Sequence, residues 1–354
     1  MGGHMNRIDI DTDRLGTSCW VSGPENGTPV LLIHGNLCTG RFWRDVATLL
    51  PGDARVVAPD LRGFGRTEAK PIDATRGLDD WIDDIESLVK ALGWKGRKLH
   101  LGGWSLGGGI AMGYAAGHPE EIASLTLVAP ISPFGFGATR DALGNPTTSD
   151  FAGSGGGAAN PDFFRRLAAG DMSTEEPISS PRVTMSSFFW SPKYKAPDED
   201  DLLAEVLLTK VGDDFSPGDS VATSSWPGMG PGTRGVNNAF SRKYCDVSSF
   251  GDVRDSFPVL WVRGDEDQVI SDGSMFDLAY LGKLGAVPGW PGDEACPPQP
   301  MLAQIRSVLD RYRKSSGASV REEVLEGVGH GPLIERSEKV AELMEATIGV
   351  GQRS

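Results

Sequence analysis

The sequence predicts an α/β protein with a mostly parallel central sheet flanked by helices and a mainly helical lid inserted after the sixth strand. Three observations carry this. Unbroken apolar runs, as at 29–33 and 56–59, alternate with stretches of helical length and periodicity. Strands buried on both faces of a parallel sheet have that unbroken character. Each run ends in a polar or glycine-rich loop, and ligands of such folds bind beyond the carboxyl ends of the strands. The pattern stops at Pro130 and resumes at Pro258. The expected organisation is a first core segment over 6–130, a lid over 131–250 and a second core segment over 251–350.

Residues 8–21 alternate weakly and predict one or two edge strands. The run 29–34 predicts a buried strand leading into His34-Gly35-Asn36, and 41–50 a helix with Phe42, Trp43, Val46 and Leu49 at helical spacing. A second buried strand at 55–59 enters the loop Asp60-Leu61-Arg62-Gly63-Phe64-Gly65-Arg66-Thr67. Residues 78–92 form an amphipathic helix, with Trp81, Ile82, Ile85, Leu88 and Val89 on one side and acids concentrated in its first half, where the helix dipole favours them. A strand, a tight turn and a helix follow over 98–117, then a strand over 124–129. Within the lid, 161–169 and 198–211 read as helical, and glycine and proline punctuate the rest. The aromatic content there is too high for a disordered linker. The core resumes with a strand at 258–263, a helix at 301–314, a last strand at 320–325 and a closing helix at 333–348.

The 354 residues carry a net charge of −14, which argues against nucleic acid and anionic membrane surfaces as partners. No apolar run is long enough to cross a bilayer. Met1-Gly2-Gly3-His4 reads as an expression remnant ahead of Met5. No secretory leader follows, and a cytoplasmic location is the expectation. Cys19, Cys38, Cys245 and Cys296 have no metal-ligand spacing, and free thiols are expected, with a Cys245–Cys296 bridge as the alternative. No metal and no cofactor is implied.

The stretch Gly103-Trp104-Ser105-Leu106-Gly107 fits a strand-to-helix elbow that exposes a serine on a strained turn. The helix after it directs its positive end toward that serine, where developing negative charge is stabilised. A later strand ends in Gly264-Asp265-Glu266-Asp267-Gln268-Val269-Ile270, and the last in Gly327-Val328-Gly329-His330-Gly331-Pro332. Serine, acid and histidine thus stand in the chain order of the α/β-hydrolases. The sequence resembles that superfamily through His34-Gly35-Asn36, the 60–67 loop, the serine elbow and the His330 loop, across nearly its whole length apart from the lid.

The resemblance implies the following roles. Ser105 is the nucleophile, His330 the base that activates it and Asp267 the acid that holds the imidazole, with Asp265 as the alternative acid. The backbone N–H groups of Asn36 and Leu106 form an oxyanion hole, with Leu37 as the alternative to Asn36. His34, Asp60 and Arg62 are loop-structuring residues. Trp104, Phe188, Phe189, Trp190 and Trp226 are candidates for the substrate pocket. A serine nucleophile speaks against dehalogenases and epoxide hydrolases, which use an aspartate. The expected activity is acyl-enzyme hydrolysis of a small soluble carboxylic ester. Lactone or amide hydrolysis, carbon–carbon bond hydrolysis and perhydrolysis use the same three residues and stay open, as does a non-catalytic receptor of this fold. A small-molecule ester or lactone is the expected partner, and the sequence carries no signal for an oligomeric state.

Overall fold

Alternate residues of the strand Thr28–Ile33 serve two different cores, and this sets the architecture. Leu31 and Ile33 pack on one side of the sheet with Leu101, Ile110, Trp81 and Ile305, whereas Val30 and Leu32 pack on the other with Val46, Trp104 and Met344. A strand's side chains point alternately to its two faces, so apolar residues at every position require cover on both.

The computed structural model describes residues 4–352. Residues 1–3, the larger part of the expected expression remnant, lie outside the described residues. Eight strands form one sheet: β1 (Asn6–Asp11), β2 (Gly16–Ser22), β3 (Thr28–Ile33), β4 (Ala54–Pro59), β5 (Leu99–Trp104), β6 (Ile122–Val128), β7 (Val259–Gly264) and β8 (Val320–Leu325). Their spatial order is β1-β2-β4-β3-β5-β6-β7-β8. β2 runs against both of its neighbours, and every pair from β4 to β8 is parallel. The loops after β3, β5, β7 and β8 therefore emerge at one edge of the sheet.

Helix α1 (Arg44–Leu49) continues a 3-10 turn, Gly40–Trp43, capped by the Thr39 hydroxyl. The expected single helix over 41–50 is thus divided. A side chain at position 40 would run into the Ala58 carbonyl, so glycine lets this turn lie against β4. Helices α2 (Asp79–Ala91) and α3 (Leu106–Gly117) pack on each other on one face.

The segment between β6 and β7 holds short helices: α4 (Pro161–Ala168), α5 (Pro181–Thr184), a π-helical turn Met185–Phe189 and α6 (Glu199–Val206). Residues 211–231 instead form two small two-stranded sheets joined by turns. Polar contacts tie this segment down. Thr39 donates to Glu205 at 2.7 Å, Arg44 pairs with Asp198 at 2.8 Å, and the Ser191 N–H donates to buried Glu335 at 3.1 Å. All four cysteines are buried and free, so Cys245 and Cys296 do not form the alternative bridge.

Candidate active site

Ser105 sits between β5 and α3 with φ 55° and ψ −119°, a left-handed backbone that a residue with a side chain adopts only under constraint. The constraint is visible. Its N–H donates to the Val128 carbonyl at 3.0 Å, and its own carbonyl accepts from Gly108 at 2.9 Å and Ile131 at 3.0 Å. The turn is tight because its glycines leave space. A β-carbon at Gly107 would strike the backbone oxygens of Ile33 and His34, and one at Gly103 the backbone of Gly107. Gly107→Ala is therefore expected to lower stability by about 1–3 kcal/mol, since backbone and not a flexible side chain must move. Thermal unfolding checks this, and an unchanged melting temperature would show that the elbow tolerates a wider turn.

His330 and Asp267 are brought together from the loops after β8 and β7. The His330 Nδ1–H donates to Asp267 Oδ2 at 2.9 Å, with both side chains buried. The other carboxylate oxygen accepts from the Val269 and Ile270 N–H groups at 2.7 and 2.9 Å, which fixes the carboxylate plane. A carboxylate acceptor places the ring proton on Nδ1 and leaves Nε2 with a free lone pair. The Trp104 indole N–H donates to the His330 carbonyl at 2.8 Å, and Glu335 accepts from the adjacent Gly329 N–H at 2.7 Å. Burial pushes the Glu335 carboxyl up to about 7. Asp265, the alternative acid, instead accepts from Gly327 N–H at 2.8 Å and stabilises the loop.

The Ser105 hydroxyl and the His330 ring line one cavity of about 480 Å3, and no hydrogen bond joins them here. Such bonds are often long in ligand-free sites and shorten when substrate binds. Asn36 and Leu106 line the same cavity. Among the described residues, neither backbone N–H has a protein acceptor. Leu106 is the first residue of α3, where the N–H is unpaired by construction of the helix. The Leu37 N–H is occupied by Asn36 Oδ1 at 3.0 Å, which separates it from Asn36 as a donor.

His34 braces this loop. Its Nε2 accepts from the Leu61 N–H at 2.9 Å, so Nδ1 carries the proton and donates to the Gly35 carbonyl at 2.7 Å. Complete burial pushes its pKa down to about 4. A depressed histidine pKa gives stability that is fully present above the unfolded value of about 6.5 and lost as pH falls toward 4. The unfolding free energy of the protein relative to His34→Gln is expected to shrink by about 3 kcal/mol between pH 7 and pH 4. Denaturant titrations at the two pH values measure it, and a pH-independent difference would contradict this origin.

Asp60 has a similar scaffolding role. It accepts from Gly40 and Arg66 N–H groups at 2.9 and 3.0 Å, and burial raises its pKa to about 6. Arg62 forms a two-point pair with Asp84, at 2.7 and 2.8 Å, away from the cavity.

The pocket candidates divide. Trp104, Phe188 and Phe189 line the cavity. Trp190 does not: the π-helical turn ends there, the backbone becomes extended, and the ring is 1% exposed against Phe189 and Tyr194. Trp226 does not either: its indole donates to the carbonyl of exposed Pro288 at 2.9 Å. Sequence reasoning missed Phe163, Phe164, Phe276 and Asn237, which do line the cavity. Only the first pair left a trace, as the apolar side of the predicted helix at 161–169.

Residues 28–281 match the family defined by the alpha/beta hydrolase fold. The chain belongs to this family. Among similar proteins of this α/β hydrolase is a 2-hydroxymuconate semialdehyde hydrolase from Pseudomonas sp. (strain CF600), 38% identical over 29% of this chain and 36% of the relative. A monoacylglycerol lipase of Xenopus laevis is 35% identical over 30% of this chain and 32% of the relative. Lipase 3 of Moraxella sp. (strain TA144) is 39% identical over 29% and 31%. The chain thus aligns with about a third of the length of the curated relatives it matches. In three dimensions, the esterase RhEst1 from Rhodococcus sp. ECU1013 superposes with a TM-score of 0.58 at 20% identity, covering 99% of both chains. The carboxylesterase CesB from Bacillus subtilis gives 0.57 at 13% identity, covering 97% of this chain and 91% of that one. At these identities the structural likeness speaks for the fold. Among the described residues, no helix is long and apolar enough to cross a membrane.

Proposed function

We propose that this α/β hydrolase cleaves a carboxylic ester of a small molecule through an acyl-enzyme on Ser105, with residues 131–250 acting as the lid over the site. The observation that carries the reading is the His330–Asp267 hydrogen bond at 2.9 Å in loops that reach the cavity of Ser105. Nε2 of His330 takes the hydroxyl proton as Ser105 Oγ attacks the ester carbonyl, and Asp267 stabilises the imidazolium. The oxyanion is held by the Asn36 and Leu106 N–H groups, which have no protein acceptor to give up. The imidazolium then protonates the departing alkoxide, and the ester C–O bond breaks to leave the acyl-serine. Water, deprotonated by His330, attacks the acyl carbonyl and releases the carboxylic acid and Ser105.

The monoacylglycerol lipase and Lipase 3 support ester cleavage, and the 2-hydroxymuconate semialdehyde hydrolase supports carbon–carbon bond cleavage by the same residues as the second reading. The test is hydrolysis of 4-nitrophenyl butanoate followed by nitrophenolate release. Turnover on the order of 1–10³ s⁻¹ is expected. Release no faster than in protein-free buffer, with the ester shown to bind, would favour the receptor reading instead.

A further inference from the structure

We propose that Asn237 is a specificity-determining residue that hydrogen-bonds a hydroxyl group on an uncharged, mainly apolar ester. The inference rests on the ester-hydrolase reading and names the substrate class of the same cavity. Among the described residues, no Asp, Glu, Lys or Arg lines the cavity, and seven phenylalanines contribute to its wall. A charged substrate would lose its hydration there without gaining a counter-charge, so the wall selects a neutral one.

Within this apolar wall, polar side chains are few, and the asparagines among them differ in their partners. Three asparagines line the cavity: Asn36, Asn160 and Asn237. Asn36 Oδ1 accepts from the Leu37 N–H at 3.0 Å. Asn160 Oδ1 caps α4 by accepting from Asp162 at 3.0 Å, and its Nδ2 donates to the Ile178 carbonyl. Asn237 has no such engagement. Among the described residues, its Oδ1 is buried without a partner and its Nδ2 makes no hydrogen bond.

The next residue shows what a structural asparagine looks like at this place. Asn238 is fully buried, donates to the Asp219 and Arg234 carbonyls at 2.8 and 2.7 Å, and accepts from Gly156 at 2.7 Å. Asn238 holds the lid together, whereas the Asn237 amide is left over. Buried polar groups are almost always paired, and an unpaired one at a binding cavity marks the place of a ligand's polar group. Oδ1 is closed off from the cavity, so the amide offers its other atom, Nδ2; a hydroxyl accepts from it, or donates if the amide is turned over, and so suits either orientation.

The experiment compares phenyl butanoate with phenyl 2-hydroxybutanoate, phenyl 3-hydroxybutanoate and 4-hydroxyphenyl butanoate. Relative kcat/KM is measured for the wild type, Asn237→Leu and Asn237→Ser, and binding of the same four esters to Ser105→Ala is measured by calorimetry. At least one hydroxylated ester is expected to exceed phenyl butanoate about tenfold in the wild type and to bind correspondingly tighter to Ser105→Ala. Both Asn237 variants should bring that ratio to about one. The proposal is overturned if no hydroxylated ester is preferred in either measurement, or if the preference survives in the folded Asn237 variants. Absence of turnover for all four esters would remove the ester-hydrolase reading, and the calorimetric ratio would still decide the role of Asn237.

Discussion

Ser105→Ala is expected to reduce kcat for 4-nitrophenyl butanoate by about 10⁴-fold or more, with KM changed little. The mutation removes one oxygen atom and leaves the cavity, the Asn36 and Leu106 N–H groups and the His330–Asp267 pair in place. The residual rate reports what those groups contribute without a nucleophile. The turn should persist, because the backbone bonds from Ser105 to Val128, Gly108 and Ile131 do not involve the hydroxyl. A circular dichroism melt close to that of the wild type would confirm that lost activity reflects lost chemistry. A loss of only a few fold would place the nucleophile elsewhere.

Asp267→Asn is expected to cost about 10⁴-fold in kcat, whereas Asp265→Asn should cost less than about tenfold. The difference follows from the hydrogen-bond directions. One oxygen of Asp267 is held by the Val269 and Ile270 N–H groups. In the asparagine variant the amide oxygen keeps that place, so the amide NH2 turns toward His330 Nδ1. Nδ1 must then accept, which moves the ring proton to Nε2, the atom that has to take the serine proton. Asp265 accepts from the Gly327 N–H and makes no hydrogen bond to His330. Steady-state kinetics of the two variants separates them, and equal losses would remove Asp267 from its assigned place.

The core was legible in the sequence for a physical reason. Val30, Leu31, Leu32 and Ile33 are buried on both faces, and no polar residue interrupts such a strand. The candidate site was legible because its residues follow directly after strands: Asn36 after β3, Ser105 after β5, Asp267 after β7 and His330 after β8. Local motif and sheet topology together bring them to one edge.

The segment between β6 and β7 was legible mainly as an interruption. Phe188, Phe189 and Trp190 are consecutive and equally apolar, yet the backbone changes from π-helical to extended at Trp190 and sends that ring into the core. Nothing in the three residue types announces that change. Asn237 and Asn238 are identical neighbours with opposite surroundings, decided largely by contacts of Asn238 with Asp219 and Gly156, 19 and 82 residues away in the chain. The helix expected over 198–211 ends at Val206, where Lys210 turns to bond the Gly63 carbonyl of the 60–67 loop. Pairings over such sequence distances leave no local periodicity to detect.

The account's central claim is that Ser105 is a nucleophile activated by His330. Labelling the folded protein with a fluorophosphonate and locating the adduct by peptide mass spectrometry tests it most directly. A single adduct on Ser105, abolished in Ser105→Ala and slowed by orders of magnitude in His330→Ala, is the predicted result. An unmodified Ser105 in a protein that still hydrolyses esters, or a label on another residue, would contradict it.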